Sequence, residues 1–408
     1  MITPVLSPGS PLRGARVANS VAFGLQGFFL AVILTELPQE KDRFHLSDTL
    51  ILLAVVLISL LAAGGSLLAE RLAVRWSSRV ALRFGLALIA VTGVGIGLAP
   101  NTAVLFVALG VYGIAVGVVD AGTNMQAVFI QHGYGTFVLS SFYAAWSGGS
   151  ILGALFVSAC EKVHVTLRES VLTAAAIVLV AGIAAGRRLL GTRQAEADPG
   201  DAGTTAVTPL RAYLALGVAM ALVFAIDLAV GNWSALYLRD GLLSSSSTAA
   251  LALACYQGAS LLTRLTGDRW VRRFGPRAVV RVAAAIGTVG LAIVVGAPGP
   301  VPALIGFLIA GLGLPVIAPL CFSEAGRLTG GRGLDAVIAR LNLFNYAGTL
   351  VGGGVVGALA AAASLRIGFA IPLVFALALI AGARFFHTRD GSSGRAASPP
   401  VSRASLDS

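Results

Sequence analysis

Long apolar stretches alternate with short polar ones along nearly the whole chain. A helix that crosses roughly 30 Å of hydrocarbon needs about 20 mostly apolar residues. We count twelve stretches of about that length and predict a membrane-spanning helix in each. Spans 1 to 12 are residues 17–37, 49–69, 80–99, 102–127, 137–160, 167–186, 211–236, 248–266, 278–297, 302–323, 334–360 and 366–386.

The composition supports a membrane protein. Of the 408 residues, 57% are hydrophobic and 12% are charged, and the mean hydropathy is +0.88. Soluble domains carry about 25% charged residues, so this chain has more apolar surface than a water-soluble fold buries. The sequence has no nucleotide-binding loop, no cluster of metal ligands and no paired nucleophile and base. We therefore expect a protein that is not an enzyme and holds no cofactor or metal.

The connections between spans are short, with one exception. The stretch 187–210 is polar and contains Pro and Gly, which is typical of a flexible linker. It separates an N-terminal six-helix bundle, residues 1–186, from a C-terminal six-helix bundle, residues 211–386. Residues 387–408 are rich in Ser and Arg and are expected to form a disordered tail.

The basic residues indicate the orientation, because short loops rich in Lys and Arg stay on the cytoplasmic side. When both termini are placed in the cytoplasm, only a minority of the 29 Lys and Arg residues fall outside, namely Lys41, Arg43, Lys162, Arg168, Arg239 and Arg366. We therefore predict a multi-pass protein of the cell membrane with cytoplasmic termini, linker and tail. This topology explains the net charge of +11, so no nucleic-acid partner is expected.

The two halves carry a sequence repeat. Residues 69–83 align without gaps with residues 267–281, which lie 198 positions later, and four Arg residues coincide. A second match, with an offset of 200, pairs Trp146, Gly148 and Gly153 of span 5 with Tyr346, Gly348 and Gly353 of span 11. Parallel repeats of this kind occur in transporters whose solute site lies between the halves. We predict an all-α membrane protein with twelve transmembrane helices in two pseudo-symmetric six-helix bundles.

The loop between spans 8 and 9 reads Arg264-Leu-Thr-Gly-Asp268-Arg269, followed by Arg273-Phe-Gly-Pro-Arg277. This pattern resembles a signature of the major facilitator superfamily of transporters. The first-half counterpart departs from the signature, with Glu70 for the usual Asp. The resemblance implies that both loops gate the cytoplasmic side, whereas anchoring at anionic lipid would need Arg alone. The gating candidates are Glu70, Arg71, Arg79, Arg264, Asp268, Arg269 and Arg277.

A shorter match lies in span 4, where residues 117–124, GVVDAGTN, resemble a segment of fucose-permease-like symporters of that superfamily. The resemblance implies that Asp120 takes up and releases a coupling proton. An ionisable side chain inside a membrane helix costs about 2.5–3.5 kcal/mol to insert, so it usually faces a cavity or a partner. The alternative for Asp120 is a packing role near the cytoplasmic end, with a loop arginine as its partner.

Asp227, inside span 7, is the second candidate for proton coupling. Its carboxylate would gate the outer half of the pathway or bind a cationic solute. The alternative is an ion pair with Arg340 across the bundle, and the sequence favours neither interpretation.

Span 11 carries the clearest polar face, because Asn342, Asn345 and Tyr346 fall at i, i+3 and i+4. Such side chains either line a solute pathway or join neighbouring helices by hydrogen bonds. We favour the pathway and add polar residues of spans 1, 4, 5 and 8. The candidates for substrate binding are Asn19, Gln26, Asn124, Tyr143, Gln257, Asn342, Asn345 and Tyr346.

Together these features predict a secondary active transporter that moves a small polar solute by alternating access, driven by protons. A proton-driven efflux antiporter for a drug-like or secondary-metabolite substrate is the alternative, and a sensor or scaffold would leave the polar faces unexplained. The expected partners are the small-molecule substrate, protons and the lipid bilayer, and we expect a monomer. We also expect Pro315 and Pro319 to kink span 10, and His387 to be solvated.

Overall fold

A computed structural model describes residues 10–191, 210–329 and 333–387. Nearly all of these residues are helical, and none of them forms a strand. Residues 192–209 of the predicted linker and residues 388–408 of the predicted tail lie outside the described residues.

Fourteen α-helices follow one another in the described part of the chain. The first six are α1 (Ser10–Phe44), α2 (Asp48–Arg75), α3 (Ser78–Gly97), α4 (Thr102–Tyr134), α5 (Leu139–Lys162) and α6 (Leu167–Gly186). The others are α7 (Leu210–Leu236), α8 (Ser246–Phe274), α9 (Pro276–Gly296), α10 (Pro300–Gly313), α11 (Ile317–Thr329), α12 (Leu334–Ala362), α13 (Leu365–Gly368) and α14 (Ala370–Gly382). A π-helical turn, Tyr237–Gly241, extends α7, and a 3-10 turn, Ala383–Phe385, follows α14.

Each predicted span overlaps a helix. Spans 1 to 9 correspond to α1 to α9, span 10 to α10 and α11, span 11 to α12, and span 12 to α13 and α14. Ten segments of the described chain are long and apolar enough to cross a membrane. Helices α8 and α12 have 29 residues each and pack among the others. The predicted fold class of twelve membrane helices in two bundles is confirmed.

The predicted break in span 10 is present as a 3-10 turn, Leu314–Val316, between α10 and α11. Pro315 lies inside this turn, where its missing N–H and fixed φ prevent a continuous α-helix. The break allows α11 to take a direction different from that of α10.

The helices form two bundles, α1–α6 and α7–α14. In the first bundle α1 packs against α5 and α6, while α4 packs against α2 and α3. In the second bundle α7 packs against α12 and α14, while α10 packs against α8 and α9. The bundles meet along a seam whose two main contacts are α2 against α12 and α5 against α8, with smaller contacts of α4 against α11 and α12 and of α5 against α11. The two main contacts are equivalent in the sequence repeat.

One end of the bundles carries the repeated arginines, and we call it the Arg-rich end. Here α2, α4 and α8 finish, and α3, α5 and α9 begin. The first and last described residues, Ser10 and His387, also lie at this end, because the chain crosses the bundles an even number of times between them.

Glycines allow close backbone contact in equivalent helix pairs of the two bundles, α1 with α5 and α7 with α12. A Cβ added to Gly149 of α5 would lie 2.0 Å from the Gly24 carbonyl oxygen of α1. A Cβ added to Gly348 of α12 would lie 2.1 Å from the Ala221 carbonyl oxygen of α7. These two helix pairs therefore pack backbone against backbone, as small residues permit in membrane proteins.

Candidate functional site

Asp120 lies near the middle of α4, at the seam between the bundles. One oxygen of its carboxylate accepts a hydrogen bond from the Gln26 amide of α1, and the other accepts one from the Tyr346 hydroxyl of α12. Gln26 belongs to the N-terminal bundle and Tyr346 to the C-terminal bundle. A single carboxylate therefore connects both halves.

Further polar side chains from both bundles extend this centre. Asn124, one turn along α4 from the carboxylate, accepts a hydrogen bond of 3.1 Å from the Tyr143 hydroxyl of α5. On α12, Asn342 donates to the Ser66 hydroxyl of α2 at 3.0 Å and accepts from Asn345 at 3.2 Å. The polar face of span 11 is thus buried at the seam, where it joins α12 to α2.

Asp227 of α7 forms a second centre. The Tyr256 hydroxyl of α8 donates a hydrogen bond to its carboxylate, and the Arg264 guanidinium lies 3.7 Å from it. Arg264 also donates to the Ser147 hydroxyl of α5 at 2.7 Å, across the seam. Its guanidinium carbon lies 5.9 Å from the ring centre of Tyr143. Polar and aromatic contacts therefore link the two carboxylates across the interface.

Some buried polar atoms in and beside these centres have no hydrogen-bond partner among the described residues. They include Oε1 of Gln26, Oδ1 of Asn19, Oγ of Ser260 and Nε of Arg264. Buried polar atoms are nearly always paired in folded proteins. The unpaired atoms are therefore exceptions to this rule within the described conformation.

Most of the predicted substrate-binding residues belong to this network. Asn19 of α1 also joins it, because its amide donates to the Thr123 carbonyl oxygen of α4 at 3.1 Å. Gln257 does not, since it is exposed on α8 and forms no hydrogen bond with a described residue. Its neighbour Tyr256, which was not predicted, donates a hydrogen bond to Asp227 instead. Tyr256, Ser260 and Arg264 are all buried and four residues apart, and that spacing was the available signal.

A second set of contacts joins the bundles at the Arg-rich end. Asp268, near the end of α8, accepts hydrogen bonds from the backbone N–H groups of Ser140 and Ser141 in the first turn of α5, at 3.0 and 3.1 Å. Glu70, at the equivalent place in α2, forms an ion pair of 2.7 Å with Arg340 near the start of α12. The two contacts occupy matching positions in the repeat. Because Arg340 pairs with Glu70, the alternative pairing of Asp227 with Arg340 is wrong.

The remaining gating candidates lie within their own bundles or at the surface. Arg79 donates to two carbonyl oxygens at the end of α6, at 3.2 and 2.9 Å. Arg277 donates to two carbonyl oxygens beyond α14, both at 2.8 Å. Each of these arginines ties the third helix of its bundle to the last one. Arg71 and Arg269 are exposed and form no hydrogen bond or ion pair with a described residue.

Two more contacts across the Arg-rich end were not predicted. Gln131 of α4 donates to the Ser323 hydroxyl of α11 at 2.6 Å. His387 lies with Nδ1 2.5 Å from the buried Glu324 carboxylate of α11, and its ring stacks on Phe137 of the N-terminal bundle. The expectation of a solvated His387 is therefore wrong. Glu324 directly follows an apolar run, which was the sequence signal for a buried acid in need of a partner.

Proteins with related sequences span nearly the whole chain. An uncharacterized MFS-type transporter of Yersinia pestis is 27% identical over 372 residues, covering 90% of this chain and 95% of the relative. The uncharacterized transporter y4wD of Sinorhizobium fredii is 29% identical over 386 residues, covering 91% of this chain and 97% of the relative.

The fold is similar to that of FucP, a transporter solved in the outward conformation, with a TM-score of 0.73 and 16% identity over 91% of this chain and 98% of FucP. The sequence profile of the Major Facilitator Superfamily matches residues 214–407, which hold the C-terminal bundle. The N-terminal bundle repeats that architecture, and the whole-length relatives extend the similarity across both halves. The chain is therefore similar to Major Facilitator Superfamily proteins, by profile in its C-terminal half and by relatives over nearly its whole length.

Proposed function

We propose that the protein is a secondary active transporter that couples the movement of a small polar solute to protons. The two bundles rock about the seam, so that the central site opens alternately to each side of the membrane. The bias of Lys and Arg makes the Arg-rich end the cytoplasmic end. Asp120 binds and releases the coupling proton.

The observation that carries this proposal is the hydrogen bonding of Asp120. Its carboxylate accepts from Gln26 in one bundle and from Tyr346 in the other. Hydrogen bonds to an ionised carboxylate are stronger than those to a neutral acid. Protonation of Asp120 therefore weakens the bridge between the bundles, and binding of a proton shifts the balance between the two conformations.

Arg264 connects the solute site with this movement. It touches Asp227 inside the C-terminal bundle and Ser147 across the seam. A solute that takes a hydrogen bond from Arg264 competes with both contacts. Binding of the solute thus favours a rearrangement of the seam, in addition to the effect of the proton.

Asp268 and Glu70 act as the gate at the cytoplasmic end. The first N–H groups of a helix lack partners within the helix and carry partial positive charge, so the Asp268 carboxylate suits the start of α5. The ion pair of Glu70 with Arg340 occupies the matching position on the other side of the seam. Both contacts break when the bundles separate at this end, so the described conformation is the one closed to the cytoplasm.

The solute is small and polar, because amide, phenol and hydroxyl groups surround the two carboxylates. The charges of Asp227 and Arg264 offset each other, which favours a solute without a large net charge. The unpaired acceptors of Gln26 and Asn19 suit the hydroxyl groups of a sugar or polyol.

The test uses purified protein in lipid vesicles with a pH-sensitive dye inside. A panel of sugars, polyols and amino acids is added outside, and solute-dependent acidification of the interior identifies a symported solute. With that solute, we expect Asp120→Asn to lose accumulation driven by a proton gradient and to retain exchange of labelled for unlabelled solute. Asp240→Asn, which alters an exposed carboxylate paired with Arg239, serves as the control and should behave as the unmodified protein.

Unchanged gradient-driven accumulation by Asp120→Asn would contradict the assignment of the coupling proton. Movement of solute and protons in opposite directions would identify the antiporter instead. If no compound of any class shows gradient-dependent flux, the transport proposal itself fails.

A further inference from the structure

A groove on the outer face of the N-terminal bundle lies away from the seam and takes no part in the proposed transport. It runs between α3 and α6 and has a volume of about 380 Å³. Apolar residues of both helices line it, including Phe84, Leu86, Val178 and Ile183, and Arg83 lies at its Arg-rich end. Because both helices span the membrane, hydrocarbon chains of lipid reach this groove.

Four arginines lie at the ends of α3 and α6 that belong to the Arg-rich end, and one of them, Arg83, lines the groove. They are Arg79 and Arg83 at the start of α3, and Arg187 and Arg188 just after α6. The described residues of α3 include no acid, and Glu169, the acid of α6, lies at the opposite end of that helix. The cluster therefore carries positive charge with no carboxylate from either helix beside it.

The four arginines divide into two kinds. Arg79 donates to the carbonyl oxygens of Gly186 and Arg187, so its charge satisfies the negative end of α6. Arg83, Arg187 and Arg188 are exposed, and their guanidinium groups form no hydrogen bond or ion pair with a described residue. The stem of Arg83 lies over Gly186, where an added Cβ would come within 2.9 Å of it. The absence of a side chain at position 186 thus leaves room for Arg83 beside the groove.

We propose that this groove binds one anionic phospholipid, with an acyl chain along α3 and α6 and the phosphate at Arg83, Arg187 and Arg188. Guanidinium groups match phosphate oxygens in geometry and charge, and basic pockets between membrane helices bind acidic headgroups. The apolar groove supplies the complementary surface for the chain. The site rests on the membrane fold and is independent of the transported solute.

The second bundle offers a matched control. Arg281 of α9 lies 198 positions after Arg83 and is likewise exposed. His387 lies 200 positions after Arg187, and its ring is hydrogen-bonded to Glu324 and stacked on Phe137. Among the described residues, the pseudo-symmetric place has Arg281 and Arg384 where the N-terminal bundle has Arg83, Arg187 and Arg188, and we expect weaker lipid binding there.

The experiment measures lipids retained by the full-length protein in native mass spectrometry, with phosphatidylglycerol and phosphatidylcholine of equal chain length as probes. We expect preferential retention of one phosphatidylglycerol. Arg83→Gln should weaken that binding about fivefold, in line with about 1 kcal/mol for each basic contact, and Arg281→Gln should leave it unchanged. Ala87→Trp, which fills the groove without removing charge, should also displace the lipid.

The proposal would be overturned if Arg83→Gln and Arg281→Gln weakened phosphatidylglycerol binding equally, or if neither variant weakened it. Binding that survives Ala87→Trp and is competed by glycerol 3-phosphate would identify a site for the free headgroup only. A thermal scan without added lipid provides the remaining check. If Arg83→Gln is already less stable there by as much as with phosphatidylglycerol, the arginine acts through protein contacts, and the lipid site is excluded.

Discussion

At the scale of single residues, Arg264 is a buried cation surrounded by aromatic rings and a carboxylate. Its guanidinium carbon lies 5.9 and 5.8 Å from the ring centres of Tyr143 and Trp146, and Asp227 lies 3.7 Å away. Aromatic faces stabilise a cation only in part, so the carboxylate remains its principal partner. Each member of this pair therefore depends on the other for its stability inside the protein.

Removal of one charge from this pair should be more harmful than removal of both. Arg264→Gln leaves Asp227 without a counter-charge, and we expect a loss of about 3 kcal/mol, because breaking a buried pair costs about 3–5 kcal/mol and Asp227 is 24% exposed. The double variant with Asp227→Asn should recover most of the melting temperature. Arg269→Gln, which alters an exposed arginine on the same helix, is the control. Equal melting temperatures of the single and double variants would show that the pair does not stabilise the protein.

Glu40 gives a prediction of pH dependence at the opposite end from the arginines. It lies beyond span 1 in the last turns of α1 and is 6% exposed. Burial raises its pKa to about 7; the Arg43 charge lowers the pKa in part, and the nearby Glu36 adds a smaller increase. The folded state therefore holds a proton that the unfolded chain releases at a lower pH, and stability falls as pH rises from about 4.5 to about 7.

We expect Glu40→Gln to remove this part of the pH dependence, because the amide stays neutral. The variant should melt a few degrees higher than the unmodified protein at pH 8 and at the same temperature at pH 4. Asp42→Asn, at an exposed neighbour in the same turn, should leave the pH profile unchanged. Parallel melting curves against pH for Glu40→Gln and the unmodified protein would exclude Glu40 as the cause.

At the scale of the helix, two neighbouring glycines on α5 allow the effect of close packing to be distinguished from the effect of helix propensity. Gly149 faces the Gly24 backbone of α1 at 2.0 Å from an added Cβ, whereas no atom lies within 4 Å of an added Cβ at Gly148. We expect Gly149→Ala to destabilise the protein by about 1–3 kcal/mol through overpacking, and Gly148→Ala to leave stability unchanged or slightly raised. Thermal unfolding of the two variants checks this. A loss of similar size from both would indicate that helix propensity, and not the α1–α5 contact, is responsible.

The helices were predictable because a membrane-spanning helix needs about 20 apolar residues, and stretches of that length are directly visible in the sequence. The carboxylates inside spans 4 and 7 were predictable for the same reason, since charge is costly there. Their partners were not, because Tyr256 and Tyr346 meet them only through helix packing. Arg340 illustrates the limit: its charge was evident, but the choice between Asp227 and Glu70 depends on which helices meet at the seam.

At the scale of the whole molecule, the repeat makes the two contact lines of the seam equivalent in place but different in chemistry. Ser66 and Arg264 lie 198 positions apart, and each is hydrogen-bonded across the seam, to Asn342 and to Ser147. Likewise, Glu70 at the end of α2 pairs with an arginine, while Asp268 at the end of α8 accepts hydrogen bonds from backbone N–H groups. Because the two lines join the same pair of bundles, we expect that opening one requires opening the other. In the proposed transport cycle we therefore expect both lines to open in a single movement.

A cross-link across the Arg-rich end should stop that movement. We would introduce Glu70→Cys and Arg340→Cys after replacement of the native Cys160, Cys255 and Cys321 by Ser, and join the new thiols with a short bifunctional reagent that reduction cleaves. The halves then remain closed at this end, so transport of the solute should fall to the background level and return on reduction. The control pair, Gln39→Cys and Glu161→Cys, joins α1 to α5 inside one bundle, where the native side chains lie 3.1 Å apart. Its cross-link should leave transport intact, because the two helices move together.

Full transport with the 70–340 pair completely cross-linked would mean that the bundles need not separate here, and alternating access would then require a movement within each bundle instead.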